Sequence, residues 1–135
     1  METITQDNDV KVFYVTAKSF PDGIMESYDK LFALVPPSSD RKYYGISRPE
    51  NGSIVYKAAV EEIAPGEAEK FNLDTLVIKK GNYICTTLND WMKDTSEIGR
   101  IFSELLTQPG LDPEGYCVED YFNDKDVKCM IRLNE

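Results

Sequence analysis

Apolar residues follow two alternating rhythms along the chain. In VKVFYVTA (10–17) β-branched and aromatic residues crowd together, the composition of a strand. After Pro21 and Asp22 the spacing lengthens, and Ile24, Tyr28, Leu31, Phe32 and Val35 return at helical intervals along one face. Pro36-Pro37 ends that helix, because proline lacks the amide hydrogen that another turn needs. RKYYGISRP (41–49) and SIVYKAAVEEI (53–63) read as strands joined by the turn residues PENG (49–52). The polar stretch METITQDND (1–9) is expected to fray as a flexible N-terminus, and APGEAEKFNLD (64–74) reads as a charged connector.

The same order then starts again. LVIKKGNYICTTL (76–88) reads as one long strand with Gly81 as a bulge. Asp94 and Glu97, a variant of the capping box, precede the helical series Ile98, Phe102, Leu105 and Leu106, which Gln108-Pro109-Gly110 closes. YCVEDYF (116–122), the turn NDKD (123–126) and VKCMIRL (127–133) make a second hairpin. Ile24, Tyr28, Leu31 and Phe32 align with Ile98, Phe102, Leu105 and Leu106, each 74 residues later, while Tyr44 and Ile46 align with Tyr116 and Val118, 72 residues later. The pattern predicts one α+β domain over residues 10–135, built from two βαββ modules (about 10–63 and about 75–133). Its expected form is a single antiparallel sheet with two helices on one face and a concave cleft on the other.

Composition narrows the function. The chain has 135 residues, 41% hydrophobic and 29% charged, enough to bury a core and unlike a disordered segment. A net charge of −9 repels a phosphate backbone, so direct nucleic-acid binding is not expected. No apolar run approaches the roughly 18 residues of a membrane helix, and no signal-peptide pattern opens the chain. Cys85, Cys117 and Cys129 show no paired spacing and read as reduced thiols of a cytoplasmic protein. There is no histidine, which removes the commonest general base, the usual metal ligand and every Ser-His or Cys-His dyad. Neither a metal nor a cofactor is expected.

Against that background Glu119 stands out, in mid-strand between Cys117 and Tyr121. Tyr116 and Val118, matched to Tyr44 and Ile46, are expected beneath the helices. Alternation then puts Cys117, Glu119 and Tyr121 on the opposite, uncovered face with Tyr43, Gly45 and Ser47. A carboxylate among aromatic rings suits a cation, since rings and charge both attract it. A solvated acid on an open sheet face fits the same pattern. Trp91 reads either as a staple at the helix entrance or as a cleft wall that stacks on a flat ligand. Tyr56 is similarly double, with core packing favoured. Cys117 lacks an adjacent base, and reads as a small buried residue of the cleft rather than a nucleophile.

YYGI (43–46), TLVIKKGNYIC (75–85) with the helix after it, and VEDY (118–121) before a final strand resemble the GyrI-like small-molecule-binding domains. These also serve as effector-binding domains of bacterial multidrug-responsive transcription activators. The resemblance covers nearly the whole chain from about residue 10, and it implies two βαββ modules around a central cleft. It also implies an acid in the penultimate strand with an aromatic two positions on, the places of Glu119 and Tyr121. KKGNY stands where such domains often carry an apolar ipAG-like turn, and no helix-turn-helix segment precedes the domain here. The expectation is therefore a stand-alone binder, a sensor or sequestering protein for a cationic or amphipathic organic molecule. Its expected ligand residues are Glu119, Tyr121, Tyr43, Trp91, Cys117 and Ser47. The resemblance implies two alternatives: a hydrolase of reactive small molecules acting through Glu119, and a protein-interaction inhibitor. The partner in the second case would be a regulator or DNA gyrase.

Overall fold

A computed structural model describes residues 1–134 of the chain. Among them, strands β1 (Glu2–Gln6), β2 (Val10–Thr16), β3 (Tyr43–Glu50), β4 (Ser53–Glu61), β5 (Asp74–Ile78), β6 (Gly81–Leu88), β7 (Cys117–Tyr121) and β8 (Val127–Arg132) form one antiparallel sheet. Helices α1 (Ile24–Leu34) and α3 (Ser96–Leu105) cover one face, and a short α2 (Glu67–Lys70) lies in the connector before β5. The sheet order β1-β6-β8-β7-β3-β4-β2-β5 reads in reverse when β1 to β4 are exchanged with β5 to β8. That is the pseudo-two-fold symmetry of a duplicated module. β3 and β7 pair at its centre, with Ile46 opposite Val118.

Each helix is held by the stripe the sequence marks. Ile101, Phe102 and Leu105 are buried on α3, and Leu31 on α1, together with Val35 just after it. Burial of each such side chain stabilises the fold by roughly 1.5–3 kcal/mol. At the start of α3, Asp94 accepts hydrogen bonds from the Ser96 backbone amide (3.1 Å) and hydroxyl (2.5 Å). Glu97 does not complete a capping box, because its carboxylate is taken by Arg100 one turn on. The β3–β4 turn places Asn51 and Gly52 at φ 54° and 83°, the left-handed pair that suits a tight hairpin.

Two stretches fold differently from the sequence reading. The N-terminus, expected to fray, forms edge strand β1, paired from Glu2–Cys85 to Gln6–Gly81. The long strand over 76–88 is instead two strands broken at Lys79-Lys80, with Gly81 at φ 135°. These strands lie far apart in the sheet order, β5 at one edge and β6 next to the other. A two-residue link between them forces the sheet to curl. The corner is fastened by Tyr83 Oη to the Lys79 carbonyl (2.5 Å), Arg132 Nε to the Lys80 carbonyl (3.0 Å) and the Lys80 amide to Asp9 (2.8 Å).

The curl also reverses the expected faces. Val12, Tyr44, Ile46, Ile78, Val118 and Met130 pack on one another inside the curl, without help from either main helix. The row carrying Tyr43, Gly45, Ser47, Cys117, Glu119 and Tyr121 is therefore the one beneath the helices. Alternation had sorted the two rows correctly and could not say which row the helices cover. Both are buried, so neither carries a solvent-facing signature. The concave helix-free face is lined by the sheet's own side chains and keeps a small groove.

Candidate ligand-binding site

Glu119 sits at the middle of β7, opposite Gly45 on β3 and Cys129 on β8. It lies where the pseudo-two-fold brings the modules together, between the regions covered by α1 and α3. Its space depends on Gly45: a Cβ there would fall 2.1 Å from Tyr56 Oη and 2.6 Å from Glu119 Oε1. The carboxyl is 7% exposed. Tyr56 Oη lies 3.0 Å from Oε1, within hydrogen-bond distance, and Tyr121 Oη donates to the same oxygen. Tyr28, reaching down from α1, has its hydroxyl 3.0 Å from that of Tyr56 and donates to the Tyr44 carbonyl at 2.9 Å. Oε2 has no hydrogen-bond partner among the described residues.

Aromatic rings wall the carboxyl on several sides. Tyr28 lies edge-on to Tyr56 (6.2 Å between centroids) and to Tyr121 (6.5 Å), Phe20 stacks on Tyr56 (6.1 Å), and Trp91 packs against Tyr121 (5.1 Å). No ion pair among the described residues involves Glu119. Burial accordingly pushes its pKa above the ordinary carboxylate value, and the Tyr121 and Tyr56 hydroxyls offset only part of that. Burial likewise raises the phenols of Tyr28, Tyr56 and Tyr121, so all three remain hydrogen-bond donors. Burial and then Glu119 hold the Cys117 thiol up at about 11, so it is not a ready nucleophile.

The predicted residues are placed as follows. Glu119 and Tyr121 are joined by a hydrogen bond, and Trp91 packs against the Tyr121 ring. Cys117 and Ser47 face each other two pairs further along the β3–β7 ladder, on the same side of the sheet. Tyr43 opposes Tyr121 across the ladder, but its ring packs on Phe32 (5.5 Å) and its hydroxyl accepts the Ser38 amide (3.2 Å). Sequence reasoning missed Tyr28, set among the core positions of α1, and Phe20, in the loop before it. Tyr56 was read as core, and it is buried core and carboxyl partner at once. A phenol on the inner stripe of a helix is the one signal that could have found Tyr28, because a buried hydroxyl needs a partner.

One groove lies on the helix-free face, between Leu76, Ile78, Tyr83, Tyr116 and Arg132. At about 50 Å³ it falls well short of the roughly 300 Å³ at which drug-sized sites begin. It does not include Glu119.

No family model and no curated protein matches the sequence. Solved structures do match. An integron cassette protein from the mobile metagenome of Vibrio cholerae superposes with a TM-score of 0.72 at 11% identity, over 98% of this chain and 95% of that one. A Staphylococcus aureus MU50 chain assigned provisionally to bacterial transcription regulation gives 0.58 at 12% identity, over 98% and 99%. SAV2435 bound to tetraphenylphosphonium gives 0.59 at 11% identity, over 98% and 94%. This is the fold that the GyrI-like resemblance implied. At such identities the shared property is the fold, and what the site takes follows from its own residues. No helix among the described residues is long and apolar enough to cross a membrane.

Proposed function

We propose that this chain binds a lipophilic organic cation at Glu119, in a sensing or sequestering role. One observation carries the reading: a carboxyl 7% exposed, ringed by tyrosines and a tryptophan, with no cationic side chain to balance it. Burying such a group in its ionised form costs several kcal/mol unless it is paired with a positive charge, and no cationic side chain among the described residues pairs with it. A cation with aromatic or aliphatic bulk would supply the charge and also fill the space between the rings. The likeness to a structure that holds tetraphenylphosphonium supports this class of ligand.

Two rings cover the site. Phe20, 42% exposed, caps Tyr56, and half-buried Trp91 caps Tyr121, so these two rings are the ones a ligand would displace. They sit in the loop before α1 and the 3-10 turn before α3, which can shift without breaking sheet pairing. Thermal melting with tetraphenylphosphonium and with neutral triphenylphosphine oxide tests the class of ligand. The expected result is a concentration-dependent rise for the cation and a much smaller one for the neutral compound. Equal shifts would mean that the site reads shape without charge.

A further inference from the structure

The oxygen contacts around Glu119 outnumber the phenol protons available to make them. Four short oxygen contacts link the group: Tyr28 to the Tyr44 carbonyl, Tyr28 to Tyr56, Tyr56 to Glu119 Oε1, and Tyr121 to Glu119 Oε1. A hydrogen bond needs one proton, and a phenol has one to give. The Tyr44 carbonyl can only accept, so it takes the proton of Tyr28. The Tyr28–Tyr56 contact must then use the proton of Tyr56. Tyr121 supplies its own contact. Nothing remains for Tyr56 to donate to Glu119, and with an ionised carboxylate one contact has two facing oxygens and no hydrogen. A proton on Oε1 completes the set, running from Glu119 to Tyr56 to Tyr28 to the Tyr44 carbonyl.

We infer that Glu119 holds a proton in the free protein and exchanges it for the ligand's positive charge. The inference rests on the cation-binding reading above. In the exchange the O–H bond of the carboxyl breaks, the proton passes to solvent, and the carboxylate pairs with the cation. Nothing is oxidised or reduced. The surroundings agree on every side. The titratable groups facing Glu119 are Tyr28 from α1, Tyr56 from β4, Tyr121 and Cys117 from β7, and Cys129 from β8, all neutral; β3 presents Gly45. Burial raises the Glu119 pKa in the same direction as the count requires.

Two ligand classes then behave differently. A permanently charged phosphonium or quaternary ammonium releases a proton on binding. A neutral amine accepts the Glu119 proton within the site and releases none. Once the proton has gone, Tyr56 turns its hydrogen to Glu119 and the Tyr28–Tyr56 contact lapses, which loosens the hold of α1 on the sheet.

The test has two arms. Carbon-13 NMR titration of the Glu119 carboxyl in the free protein should give a midpoint above the ordinary 4.5. Tyr28→Phe should lower that midpoint, because Tyr56 is then free to donate to the carboxylate. A wild-type midpoint at or below 4.5, or a Tyr28→Phe midpoint that rises, overturns the proton assignment. In the second arm, calorimetry of tetraphenylphosphonium binding is run in buffers of different ionisation enthalpy. It should show release approaching one proton per cation below the midpoint, with affinity rising about tenfold per pH unit there. Cation binding without proton release overturns the exchange. No cation binding, beside a raised midpoint, sinks the cation-binding reading and the exchange with it, while supporting the protonated carboxyl.

Discussion

Gly45 faces Glu119 across the β3–β7 ladder, and the space a side chain would fill there is already held by Tyr56 Oη and Oε1. Gly45→Ala should push the Tyr56 phenol off the carboxyl and destabilise the fold by about 1–3 kcal/mol, the usual cost of overpacking. Denaturant melting measures that cost, and cation binding should weaken with it. Glu119→Gln is the opposite kind of change. It keeps the shape, and its amide can donate to Tyr56 as the protonated acid does. Because the folded pKa of Glu119 lies above 4.5, the folded state holds more protons than the unfolded chain just above that pH. Wild-type stability should therefore fall as pH rises from 4.5 towards the folded value. The glutamine variant lacks this loss, so its melting-temperature advantage should widen across that window and then level off. A gap that does not vary with pH would mean Glu119 is ionised throughout.

At the scale of elements, the connector between β4 and β5 is the part most dependent on charge. Arg41 binds Glu67 with both guanidinium nitrogens, and the Glu67 carboxylate also accepts the Ile63 (2.7 Å) and Ala64 (2.9 Å) amides. Those bonds, the Arg41 ones first, hold the Glu67 pKa down at about 2. The stability they contribute is present above the ordinary 4.5 and is lost as pH falls from there towards about 2. Glu67→Gln should cost roughly 1–2 kcal/mol in a urea melt, more than loss of the exposed Arg100–Glu97 pair. A cost within error of that of Glu97→Gln would show that the connector is held by Ala68 and Phe71 packing alone. The elements most legible in the sequence were those with one clear period, α1, α3 and the two hairpins. β1 and the β5–β6 corner were not. β1 is too polar to mark itself as a strand, and its partner lies 75–83 residues away in the chain. The Lys79-Lys80 corner interrupts an apolar run without a proline or a turn motif beyond Gly81.

For the molecule as a whole, the sheet's curl decides which row of side chains the helices cover. The duplicated order is readable from spacing, and strand alternation together with the family resemblance singles out Glu119 and Tyr121 as candidates. The covered face was not readable, because closure of the sheet is a global property that no local period records. Glu119 thereby moves from an expected open concave surface to a closed position under two helices, where its missing partner matters most. Calorimetric titration of tetraphenylphosphonium into wild type and Glu119→Gln, above the Glu119 midpoint, tests the central claim most directly. Loss of the charge contact should weaken binding by about 1–3 kcal/mol in the variant, while triphenylphosphine oxide binds both proteins alike. Equal cation affinity for the two proteins would contradict recognition at Glu119.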